Sequence, residues 1–69
     1  MKKYYFTFME SQYAMRDFWI EVIARSEMKA REAMMDNIGP NWYAIYAEKS
    51  FKELKHFFRS GCLLTIKAK

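Results

Sequence analysis

A chain of 69 residues, 52% hydrophobic and 19% aromatic, excludes a disordered segment and leaves room for one domain, residues 1–69. The single cysteine excludes an internal disulfide, so a reducing compartment is expected, and no stretch approaches the ~18 uncharged residues of a membrane span. The net charge of +4 is uneven: residues 1–48 sum to −1 and residues 49–69 to +5, which points to an acidic partner surface or a phosphate backbone near the second end.

"KKYYFTFME" alternates and is rich in aromatics, the pattern of a strand. Its apolar run is too short, and closed too early by Glu10, for a secretory signal. Tyr4, Phe6 and Phe8 share one face; Lys3, Tyr5, Thr7 and Met9 share the other. "SQYAMR" is a polar connector of hairpin length, and a second strand over Asp17–Arg25 should pair antiparallel with the first. In that strand Phe18, Ile20, Val22 and Ala24 alternate with Asp17, Trp19, Glu21 and Ile23, so both faces carry large apolar side chains.

"SEMKAREAMMDNIG" reads as the main helix. Ser26 is placed to cap its N-terminus, and Glu27 sits where the helix dipole favours negative charge. Ala30, Ala33, Met34 and Ile38 form the expected buried stripe, with Met28 and Met35 one heptad apart and partly exposed. Gly39 supplies a left-handed end. Because Pro40 has no N–H, a single-bond closure is expected.

A third strand is expected over Asn41–Glu48, where Trp42, Ala44 and Tyr46 alternate with Tyr43, Ile45 and Ala47. Both sets are apolar, so alternation selects no inner face. "SFKELKHFF" has Ser50 and Glu53 at capping-box spacing and reads as a short helix with Phe51, Leu54 and Phe58 on one side. "CLLTIK" closes the chain as an edge strand guarded by Lys67 and Lys69, with Cys62 as a small core residue.

The expected fold is α+β: a mostly antiparallel sheet of about four strands, with one main helix and one short helix on one face. The far face, with Tyr5, Trp19 and Ile23, is then left open. It awaits a partner, a second copy in a homodimer, or the 10–16 loop with Tyr13 and Met15.

No catalytic, metal or cofactor constellation stands out. His56 is the only histidine and has no nucleophile beside it, with a helix C-terminus as its expected place. Asp17 and Glu21 are ~13 Å apart at strand rise, too far for paired carboxylates. Gly39 and Gly61, the only glycines, make no phosphate loop. One His and one Cys do not build a zinc site. The chain is therefore expected not to be an enzyme. For protein binding the candidates are Tyr5, Trp19, Ile23, Arg25, Met28 and Met35, because exposed aromatics, methionine and arginine mark interface cores. For an acidic partner or phosphate they are Lys52, Lys55 and Arg59, at i, i+3 and i+7 of the short helix.

The segments "KKYYFTF", "RDFWIEVIA", "KAREAM", "GPNWYAIYAE" and "GCLLTI", in this order, resemble small accessory proteins of tailed bacteriophages, with an added similarity in size and layout to anti-defence (anti-CRISPR-like) proteins. The resemblance implies an accessory phage product acting in the cytoplasm of a bacterial host, and the leading expectation for such a chain is a non-enzymatic protein. It would bind and sterically inhibit a host protein complex of the nucleic-acid-handling or defence kind. The alternative is a small nucleic-acid-binding domain that uses an aromatic sheet face and a basic helix.

Overall fold

The computed structural model describes residues 1–8, 17–58 and 61–68. The expectations placed on Met9, the 10–16 loop with Tyr13 and Met15, Arg59 and Lys69 lie outside the described residues. In chain order the elements are β1 (Lys2–Thr7), β2 (Phe18–Ala24), α1 (Glu27–Asn37), β3 (Ala44–Ala47), α2 (Glu48–Leu54) with a 3-10 turn over Lys55–Phe57, and β4 (Gly61–Lys67). The strands form one sheet in the order β3-β1-β2-β4. The fold class is α+β, as expected from the alternation of the strands. Two of its three pairings are antiparallel, β1 with β2 and β1 with β3, and β4 joins β2 in parallel.

Register follows from which side chains want burial. Phe6 faces Ile20 and Tyr4 faces Val22 across β1 and β2, while Ile45 of β3 faces Phe6 on the other side. These side chains, with Ala24, Phe8 and Ile66, make one apolar layer, and α1 closes it with Ala30 and Met34. Helix α1 starts where a hydroxyl can replace a missing backbone partner: the Ser26 hydroxyl accepts from the Lys29 N–H at 3.3 Å. At its other end the N–H groups of Ile38 and Gly39 both donate to the Met34 carbonyl. Gly39 then turns the chain at φ 107°, a conformation costly for any side chain. Ile38, expected in the stripe, is exposed, because the helix ends at Asn37 and the next residue leaves its face.

The short helix is not on the α1 side. Phe51 of α2 stacks on Tyr5 with ring centroids 4.6 Å apart and meets Trp19 edge-on at 5.3 Å. Both belong to the face opposite Phe6 and Ile20. The chain is three layers: α1, sheet, α2. This explains β3, where both faces read as apolar: Ile45 packs under α1 and Tyr46 lies against Phe51. Strand β3 is shorter than expected: residues 41–43 precede it, and it ends one residue early, at Ala47. The chain leaves the sheet at Ala47 and becomes helical at Glu48, with no side-chain cap, so the Ser50–Glu53 box is not used. Burying a phenylalanine is worth ~1.5–3 kcal/mol, more than a hydroxyl cap at ~1 kcal/mol, and the helix takes the start that buries Phe51.

Cys62 is exposed rather than core. It lies on the sheet's outer edge, followed by a register shift that places Leu63 outside the regular ladder and leaves Leu63 and Leu64 exposed.

Candidate functional site

The aromatic cluster on the α2 side comes from three strands and one helix. Phe51 is its centre, touching Tyr5, Trp19, Tyr46 and Phe58. Trp19 also meets Phe58 edge-on at 6.4 Å and is only 7% exposed. Lys55 lies over the Trp19 ring, its Nζ 5.9 Å from the centroid. The open sheet face expected around Tyr5 and Trp19 is thus covered by α2. A flat stacking surface for bases is absent there, because the rings are already stacked on Phe51.

Beside the rings runs a polar row across three strands. The Tyr5 hydroxyl donates to Glu21 Oε2 at 3.1 Å, and the Thr65 hydroxyl donates to Glu21 Oε1 at 3.2 Å. Burial, the hydrogen bond to Glu21, and then the negative charges of Glu21, Glu48 and Cys62 push the Tyr5 phenol up to about 12. The row gives Glu21, a half-buried carboxylate, the donors that a charge removed from water requires.

The expected protein-binding residues do not converge. Tyr5 and Trp19 are inside the α2 layer, and Ile23 is half-buried on the same face. Arg25 is exposed just past the end of β2. Met28 and Met35 belong to α1, on the far side of the sheet, where both are exposed as expected. They line a shallow hollow of about 440 Å³ with Arg31, Glu32 and Asp36. The charges around it are engaged locally: Arg31 pairs with Glu27 at 3.2 Å and lies over the Trp42 ring at 5.2 Å, and Lys29 pairs with Glu32 at 3.4 Å.

The basic residues fare differently. Lys52 and Lys55 are exposed on α2 and the turn after it, together with His56. Next to them stands Phe57, 66% exposed, its ring 4.3 Å from that of His56. Phe57 was not among the residues singled out from the sequence. The signal was there in "HFF": two adjacent rings at the end of a short helical segment, of which the 3-10 turn ends at Phe57 and Phe58 leaves helical geometry at φ -104° and ψ 88°. Phe58 turns in against Phe51 and Trp19, and Phe57 is left outside. The result is an aromatic side chain in water against the His56 ring, within five residues of Lys52 and Lys55 at the chain's positive end.

Among the described residues, no three His, Cys, Asp or Glu side chains come together as a metal site would require, and no helix is long and apolar enough to cross a membrane. Comparisons with protein-family models, with curated proteins and with solved structures returned no match to this chain.

Proposed function

We propose that this chain is a non-enzymatic binding protein. It docks the tip of α2 onto an acidic surface of a partner protein and inhibits that partner by occupying the surface. The observation that carries the reading is Phe57, 66% exposed and against the His56 ring, in the stretch that also holds the exposed Lys52 and Lys55. An exposed aromatic anchor in a basic stretch has the composition of an interface centre and rim. A basic rim speeds and orients approach to an acidic surface. The resemblance to phage accessory proteins makes the target a bacterial host complex, of the defence or nucleic-acid-handling kind.

The test is a tagged pull-down from nuclease-treated bacterial lysate with three proteins: the wild type, Phe57→Ser, and Lys52→Glu combined with Lys55→Glu. Both variants change exposed side chains; Lys55→Glu also removes the ammonium over the Trp19 ring, so circular dichroism first checks that each variant is folded. The expected result is one host complex held by the wild type and lost by both variants. Retention by both variants overturns the docking surface. Partners that vanish on nuclease treatment, with affinity falling steeply in salt, replace the reading with the nucleic-acid one.

A further inference from the structure

We infer that the open edge of β4 pairs antiparallel with β4 of a second copy, about a two-fold axis at Ile66, joining two sheets into one of eight strands. β4 is an edge strand of the sheet. The Ala68 N–H donates inward to the Ile23 carbonyl at 2.8 Å. By the alternation of a parallel ladder, Ile66 and Leu64 also turn their backbone groups toward β2. Thr65 and Lys67 therefore present theirs outward, and among the described residues no strand lies on that side.

A second copy fits this edge because β4 complements itself. With the axis at Ile66, Thr65 of each copy lies opposite Lys67 of the other, and the two pairs exchange four backbone hydrogen bonds. On the α1 face Ile66 meets its own copy, and Leu64, which is exposed, meets Ala68. On the α2 face Lys67 of the second copy extends the row Tyr5–Glu21–Thr65, bringing an ammonium beside the Glu21 carboxylate that Thr65 already contacts at 3.2 Å. Each copy supplies both the acid and the base, so the complementarity is reciprocal, as a two-fold interface requires. The regular run used, Leu64 to Ala68, lies beyond the register shift near Leu63. The groove between α1 and β4, about 730 Å³ and lined by Lys29, Asp36, Leu64 and Ile66 among others, would then face its own copy. There α1 runs antiparallel to its mate, with the Lys29 end beside the Asp36 end. Lys67 guards this edge against an unrelated strand, but in this pairing it meets the Glu21 carboxylate of the copy, and β4 has no charged side chain before it.

Sedimentation equilibrium of the purified chain over a wide concentration range tests this. The wild type should approach a two-chain mass. Lys67→Pro removes an outward N–H, which a solvent-facing edge tolerates, together with the ammonium that faces Glu21, and should give a one-chain mass with unchanged circular dichroism. Lys67→Glu sets two carboxylates side by side and should weaken association by about tenfold. Ile66→Cys in a Cys62→Ser background should form a disulfide-linked pair on mild oxidation, whereas Cys62 alone should not, because it lies four positions from the axis. A one-chain mass for the wild type at every concentration overturns the inference, as does a two-chain mass that survives Lys67→Pro. Neither result bears on Phe57, which is not on this edge.

Discussion

Tyr5 and Trp19 occupy the same sheet face, but their surroundings make different demands. The Tyr5 phenol is held protonated by burial and by Glu21, up to about 12 from its ordinary 10.0. The folded chain therefore binds this proton more tightly than the unfolded chain does. The stability so gained is whole below pH 10 and is lost as pH rises toward 12. Glu21→Gln removes the negative charge while burial stays, so Tyr5 should titrate closer to 10 in that variant. Ultraviolet absorbance of the phenolate during a pH titration reads this directly, and an unchanged midpoint would show that Glu21 contributes nothing. Trp19 is a packing residue under Phe51 and Phe58. Trp19→Ala should cost ~3–5 kcal/mol, as much as a single core of this size supplies. Loss of the cooperative thermal transition is the expected outcome. A folded Trp19→Ala protein would return Trp19 to the surface, where its alternation with Phe18 and Ile20 allowed it to be.

At the scale of elements, α1 and α2 begin for different reasons. Helix α1 begins at a hydroxyl cap, Ser26, and α2 begins at Ala47 without one. Ser26→Ala should lower stability by ~1 kcal/mol, and Ser50→Ala, inside α2 and exposed, should change it by less than ~0.5 kcal/mol. Urea midpoints of the two variants make the comparison, and equal losses would mean that the Ser50 hydroxyl caps a helix start after all. The α1 cap was readable from local pattern because nothing competed with it. The start of α2 was not, since Phe51 packs against Tyr5 and Trp19, residues far away in the chain. The outward aromatic Phe57 closes the 3-10 turn that follows α2, whose placement depends on the same distant contacts.

For the whole molecule, the sheet is the shared layer: each strand from β1 to β3 lends one face to α1 and the other to α2. Backbone and aromatic signals should therefore vanish together in one transition, measured by far- and near-ultraviolet circular dichroism. In Phe51→Ala the aromatic signal should fade first, because the α2 layer loses its central ring while Phe6, Ile20 and Met34 stay packed. Coincident curves in that variant would show the two layers to be inseparable. In the sequence by itself, alternation of apolar residues determined the strands and the buried faces of Phe6, Ile20 and Val22, helical spacing determined the α1 stripe at Ala30 and Met34, and the residue count determined the excess of positive charge after residue 48. The double-sided strands "DFWIEVIA" and "NWYAIYAE" already carried apolar side chains enough for two layers. Only the tertiary structure decided that the second layer is closed by the chain's own α2, that Cys62 is outside, and that Phe57, like Tyr43, is left in water. The reason is physical: periodicity records which side chains lie on a common face of one element, but what covers that face depends on contacts between residues such as Tyr5 and Phe51, and a local pattern holds no information on such distant pairs.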